Sequence, residues 1–447
     1  MLECVLVKPH IAFAVAATLT SSALVFSCAV GAEKKGFGDD FTDDAGGRDA
    51  TPKDSAPPRD GSLSDTEPLP ADARPPPDAS GQDTSVADTS APDTSVPDTS
   101  VPDASGCVGQ VALLAGSSTA FNGAIRAGAT WSSAAIAGGT AASPPAIVPH
   151  GAGFSAVFRA QGDALNSTVY SGGAWSVPVR IGAASTRDTP ALALVAGVPH
   201  VVYQNTSFLY VHGTWTGAAW DGATDPVGTP QSFGPVAPAA AGRANELVVA
   251  FGGDSQGMLF VQSNTGGTWG ASVGVAGTAV CASGTACGGA PGLVALPAGG
   301  ASDLLALHVD KNTRLLMAST RNAASRVWTS HGSISAGTTS DEELSLSLAG
   351  GSRAVVAFRG QNGRGYAALA DLGVSPPRWA APLQLSASLL ASPPRVAAGV
   401  CGDDAIAALV LQNGEVKVTR LVGAAWAAEE AVSGMGVARY ASIATRP

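Results

Sequence analysis

Seven tryptophans divide most of this chain into near-equal parts. Trp131, Trp175, Trp220, Trp269, Trp328, Trp379 and Trp426 lie 44, 45, 49, 59, 51 and 47 residues apart. A landmark returning at roughly 40–45 residues marks a β-propeller blade, one four-stranded sheet per repeat, and such a unit buries its apolar face only by stacking on its neighbours.

A second landmark supports the first. Fourteen or fifteen residues after a tryptophan a short apolar run begins, usually behind a proline: Pro145, Pro190, Pro235, Glu343, Pro394 and Ala441. Proline is tolerated at a first strand position, where its missing N–H falls outside the ladder. Further strands of small and β-branched residues follow, as in Ala156-Val157-Phe158, Val201-Val202-Tyr203 and Val355-Val356-Ala357-Phe358. A third strand then leads to Gly-x-x-Trp at Gly128, Gly172, Gly217, Gly266 and Gly423. The alternation reads as strand throughout, with no sustained helical period. The expectation is an all-β, seven-bladed propeller over residues 107–447, its tryptophans filling the space between blades.

The irregular places carry information too. After Trp269 the next Pro-led strand waits 22 residues, until Pro291, and the excess holds Cys281 and Cys287. This predicts an inserted loop closed by its own disulfide. The first unit starts near Val111 without a Pro-led strand, whereas one extra strand, Tyr440 to Ala444, follows the last unit. A closed ring accounts for both, with the C-terminal strand completing blade 1 and removing an open sheet edge. Closure sets blade 7 beside blade 1 and predicts a disulfide between Cys107 and Cys401 across the seam.

Composition separates three regions. Residues 1–28 read as an export signal: Lys8 and His10 precede an apolar run from Ile11 to Phe26, too short for a membrane span. The run ends Val25-Phe26-Ser27-Cys28, which resembles a bacterial lipobox and implies lipidation of Cys28. Residues 29–106 hold 17 acidic against 6 basic residues and, from Asp83, repeat DTSVA, DTSAP, DTSVP, DTSVP, DASGC. Such a segment cannot bury enough apolar surface to offset its ordering entropy, so a disordered tether is expected, about 50 Å or more end to end. Residues 107–447 hold 17 acidic and 18 basic residues, scattered and near neutral, which argues against a nucleic-acid partner. The expected location is the cell envelope, lipid-anchored at the outer membrane or cell surface, or else secreted, with the membrane reached through the lipid alone. A monomer is expected. The cysteine count suits an oxidising compartment.

Catalytic motifs are hard to find. There is no HExxH, GxSxG or Walker-type loop, and no metal or other cofactor is expected. Sialidase-like propellers carry S-x-D-x-G-x-x-W turns; only Gln262 to Trp269 (QSNTGGTW) approaches one, and the Phe-Arg-Ile-Pro signature is missing. Glycosidases need two converging carboxylates, whereas Asp163, Asp254 and Asp310 read as solvated hairpin tips.

The unit P-A-x-x-x-x-x-G…V-V-Y-Q…L…G-x-x-W, clearest from Pro190 to Trp220, resembles the β-propeller lectins of the fucose-binding type and their seven-bladed bacterial relatives. That resemblance implies sugar pockets between adjacent blades, with a polar head, an acid and an aromatic platform. The matching polar residues after the second strands are Arg159, Gln204, His308 and Arg359; five residues before a landmark tryptophan stand Arg126, Tyr170 and Trp215. Trp215 is the one tryptophan outside the repeat, which makes it the first choice as stacking platform. The acid has no match on the third strand Leu209-Tyr210-Val211. The resulting expectation is a non-enzymatic, surface-anchored glycan binder. A protein-interaction scaffold binding an envelope protein and a sialidase-like glycoside hydrolase stand as alternatives, since the fold hosts all three.

Overall fold

The structure, a computed structural model, describes residues 109–222, 225–227, 236–253, 257–280, 289–334, 337–340 and 342–447. The signal, lipidation and tether expected over 1–28 and 29–106, with Cys28, Cys107, Cys281, Cys287 and Asp254, lie outside the described residues.

Seven antiparallel sheets make up the fold. Among the described residues there is no α-helix, only a single 3-10 turn at Gln161–Asp163. The innermost strands are Ala146–His150, Ala191–Val195, Ala239–Arg243, Gly292–Ala295, Ser345–Ala349, Arg395–Ala398 and Tyr440–Arg446. Each packs on the next, and the last packs on the first, so the blades close a ring around a central channel of about 200 Å³. Their Ala, Gly and Pro residues are small because seven sheets converge there, and a taper leaves least room at the axis.

The ring closes as the sequence predicts. Tyr440–Arg446 pairs antiparallel with Gln110–Gly116, from Gly116 opposite Tyr440 to Gln110 opposite Arg446, and becomes the inner strand of blade 1. At this seam the Cys401 sulfur lies 4.0 Å from the Gly109 carbonyl oxygen.

Second strands such as Glu246–Gly253 and Ala405–Val410 are buried along their whole length. They are covered by a neighbouring blade on each face, which explains why they read as unbroken apolar runs. Two boundaries move from the sequence reading. The inner strand of blade 4 begins at Ala239, behind Pro238 and later than Pro235; that of blade 6 begins at Ser345, beyond Glu343. The third strand leads to the glycine turn as the sequence predicts, and the tryptophan follows just beyond it. A turn of two glycines, Gly172-Gly173 (φ 60° and 91°) or Gly266-Gly267 (φ 59° and 89°), separates the third strand from a short outer strand carrying the tryptophan. Positive φ at both central residues is what a tight type I′ hairpin requires.

Each landmark indole packs on the cluster between its own blade and the preceding one. Trp131 lies on the seam of blades 7 and 1, Trp175 on 1 and 2, Trp220 on 2 and 3, and Trp269 on 3 and 4. Trp328, Trp379 and Trp426 continue the series around the ring. The buried Nε1 atoms of Trp131, Trp175, Trp379 and Trp426 have no hydrogen-bond partner, as befits rings held by packing. Gly123, on the third strand of blade 1, makes room for one of them: a Cβ there would overlap the Trp175 indole. Gly123→Ala should therefore cost about 1–3 kcal/mol in urea unfolding; an unchanged midpoint would refute this packing.

Candidate ligand-binding clefts

The hairpin that places each tryptophan also fixes the residue opposite it. The pairs are Arg126 with Trp131, Tyr170 with Trp175, Trp215 with Trp220, Asn264 with Trp269 and Arg321 with Trp328. Ala370 faces Trp379 and Leu421 faces Trp426. Blade by blade, one structural position thus borders a cleft toward the preceding blade with different chemistry. Two of these places open into sizeable cavities.

The larger, of about 570 Å³, lies between blades 2 and 3. Blade 3 supplies Trp215 and Trp220, blade 2 supplies Ser167, Thr168, Ser176, Val179 and Arg180. The two indoles meet edge to face, with centroids 5.7 Å apart, and both are half-buried. Thr168 donates to the Ser176 carbonyl at 2.7 Å, whereas Ser176 and Arg180 are exposed. Val179, 64 % exposed, adds apolar surface at the rim. An aromatic wall with hydroxyls and a guanidinium beside it can stack on an apolar ring face and hydrogen-bond its polar edge.

The second, of about 310 Å³, lies between blades 4 and 5 and is lined by Glu246, Ser263, Thr265, Arg321, Arg326 and Trp328, among others. Arg321 grips Glu246 with both terminal nitrogens, at 2.8 and 2.9 Å, and Asp303 through Nε at 2.8 Å and Nη2 at 2.9 Å. Burial pushes the Glu246 carboxyl up, but hydrogen bonds from Arg321, Arg326 and Ser263 outweigh it and hold its pKa at about 2. Glu246 is therefore ionised at any working pH and is no proton donor.

The sequence-predicted residues divide. Trp215 lines the larger cleft. Arg126 points along the seam of blades 7 and 1 toward Asp403, 3.7 Å away. Tyr170 packs against Trp175 and Phe154. Arg159 and Arg359 stand at the ends of second strands, paired with Asp163 at 2.6 Å and Glu342 at 2.7 Å, and line neither cleft. Gln204 and His308 are completely buried, so a ligand cannot reach them in this structure. Asp163 and Asp310 do occupy hairpin tips: Asp163 takes φ 64°, and Asp310 accepts the backbone N–H groups of Asn312 and Thr313.

Sequence reasoning missed Arg321, which stands seven residues before its tryptophan because the intervening hairpin is longer; counting strand pairs instead of residues finds it. In the cleft of blades 4 and 5 a carboxylate is contributed by the preceding blade's second strand, as Glu246.

At one mouth of the channel, Thr189 donates to Glu343 Oε1 at 2.7 Å and Arg395 pairs with Glu343 Oε2, bridging blades 3, 6 and 7. Nearby Asp188 is pushed up to about 6, by burial and by Glu343. Among the described residues no group of His, Cys, Asp or Glu is arranged to hold a metal ion.

No protein-family model matches the chain, and no curated protein matches it. Among solved structures it is similar to the fucose-specific lectin of Aleuria aurantia, at 16% identity over 66% of this chain and 96% of that one, with a TM-score of 0.47. That fungal lectin is a six-bladed propeller. The chain is also similar to the periplasmic gluconolactonase of Pseudomonas aeruginosa, at 13% identity over 72% of this chain and 99% of that one, with a TM-score of 0.47. Both scores lie below 0.5, and it is the clefts that carry the function proposed below.

Burial holds His308 at a pKa of about 4, well below the ordinary 6.5, and both ring nitrogens lack partners. As pH falls the unfolded chain takes up this proton first. The stability involved is whole above pH 6.5 and drains away toward pH 4, by up to about 3 kcal/mol. Asp188 acts in the opposite sense between pH 6 and 3.8. Urea titrations at pH 7 and pH 4.5 should therefore show His308→Leu with a smaller acid loss than wild type and no deficit at pH 7. Equal acid losses in the two proteins would exclude this role.

Proposed function

We propose that the propeller is a non-enzymatic carbohydrate-binding domain, displayed from the cell envelope by a lipid on Cys28. The observation that carries the reading is the cleft of blades 2 and 3, where two half-buried indoles face serine, threonine and arginine side chains. Sugars present an apolar ring face and a polar rim, and that pair of surfaces is what this cleft complements. Binding in place of turnover is favoured by the ionised, doubly held Glu246 in the second cleft, since glycoside cleavage needs a carboxylic acid that can donate its proton.

Trp215 gives the test. A glycan array should return a defined set of ligands for the wild-type protein, and Trp215→Ala should weaken them by about tenfold or more, the loss of one stacked ring. The variant's thermal melt, recorded alongside, separates lost binding from lost folding. A blank array with wild type removes the carbohydrate reading. Release of chromophore from a panel of aryl glycosides would make the protein an enzyme instead, with Asp188 and Glu343 at the channel mouth the carboxylates to substitute.

Display at the envelope rests on the Val25-Phe26-Ser27-Cys28 sequence, and the seam disulfide on the closed ring with Cys401 beside Gly109. Mass spectrometry of protein purified from the envelope should find a diacylglyceryl-modified Cys28 at the mature N-terminus and a Cys107–Cys401 cross-linked peptide before reduction. An unmodified Cys28 would count against the anchor, and free thiols at Cys107 and Cys401 against the clamp.

A further inference from the structure

The clefts of blades 2–3 and 4–5 occupy equivalent places but differ in charge. Around the second, three guanidinium groups, Arg243, Arg321 and Arg326, meet two carboxylates, Glu246 and Asp303, leaving one positive charge over among these groups. Arg243 does not line the cleft, and of the two arginines that do, Arg326 is the exposed one. Arg321 is 4 % exposed and uses Nε, Nη1 and Nη2 on its two acids. Arg326 is 52 % exposed and reaches Glu246 and Asp303 through Nη1 alone, at 2.7 and 3.2 Å. Its Nε and Nη2 make no hydrogen bond among the described residues. Those two N–H groups form the side edge of the guanidinium plane, the edge that holds a carboxylate by two parallel hydrogen bonds.

The backbone shows that this arginine is placed at a cost. Arg326 has φ 62°, two residues before Trp328; Gly173 and Gly267 stand two residues before Trp175 and Trp269 with φ 91° and 89°. A glycine would take the left-handed conformation freely, whereas a residue with a Cβ is strained there by roughly 1–2 kcal/mol. Strain held at one residue beside a cavity is a reason to look for its use.

We propose that the cleft of blades 4 and 5 binds a saccharide through a carboxylate group, anchored on the Nε–Nη2 edge of Arg326. Trp328 forms the wall, Ser263 and Thr265 supply hydroxyls, and the volume of about 310 Å³ falls within the range of small-molecule sites. Glu246 and Asp303 keep the other side of Arg326 fixed, so the free edge is pre-oriented. This inference rests on the carbohydrate reading and adds the ligand class: uronic or sialic acids at this cleft, in contrast to the tryptophan pair of blades 2 and 3.

Calorimetric titration of the full chain with oligosaccharides of glucuronate, galacturonate and N-acetylneuraminate, each paired with its methyl ester, tests it directly. At least one acid should bind, its ester about tenfold or more weaker, because esterification removes the charge and one bidentate acceptor. Arg326→Gly should lose the acid to the same extent while its urea midpoint holds or rises, since glycine relieves the φ strain. Arg326→Lys, which keeps the charge without the fork, should fall between. Equal affinity for acid and ester, or wild-type binding by Arg326→Gly, overturns the proposal. If neutral glycans still bind in a manner that depends on Trp215, only the acidic assignment falls. Wild-type protein that takes neither acidic nor neutral sugars ends both.

Discussion

An indole near the outer edge of each blade wedges against the apolar layer shared with the preceding blade, and this contact repeats around the ring from Trp131 to Trp426. Sheets that twist cannot lie flat on one another, so neighbouring blades splay apart toward their outer edges. Near the axis Ala, Gly and Val suffice to fill the space; at the rim something large is needed, and tryptophan fills it. Where the fit is tight the opposite wall loses its side chain, as at Gly123 beneath Trp175.

The same wedge creates the sites. A tryptophan fixed by a short hairpin fixes its cross-strand partner, and that partner borders the cleft toward the preceding blade whatever its chemistry. Where the partner is Ala370 or Leu421 the place is apolar; where it is Trp215 or Arg321 a cavity with polar walls lies beside it. Packing that defines the blade and variation that defines the site are thus assigned to two facing positions of one hairpin, so one can change without the other.

The charges in the cleft of blades 4 and 5 are poorly explained as a stabilising device. Taking ions out of water costs several kcal/mol each, and well-packed apolar residues of similar size do as well or better. Blades 6 and 7 show that the fold accepts apolar residues at the place held by Arg321. The network holds the Glu246 carboxyl well below the usual carboxylate range, and of the two arginines that line the cleft Arg326, with an open edge, is the one on the solvent side.

How much was legible in the sequence follows from what is local. Blade number, strand identity and closure by Tyr440–Arg446 could be read because each blade repeats the same local pattern: turn glycines, alternating strands and a tryptophan whose spacing is set by four strands and their loops. The structural duty of the seven tryptophans and the special standing of Trp215 were visible for the same reason. The candidate clefts were only half visible. Each is built from two blades, and a repeat pattern describes one. Gln204 shares the strand-end position of Arg159 and Arg359 yet is buried to 0 % exposure, and His308 falls one residue short of it, at the inward-packed place of Phe158 and Phe358, with Val309 where the arginines stand. Glu246 and Arg321 are 75 residues apart and meet only because adjacent sheets stack face to face. The sequence by itself determined the ring of sheets, through spacing. Which side chains share a cleft, and with what charge, was decided by the tertiary contact between blades.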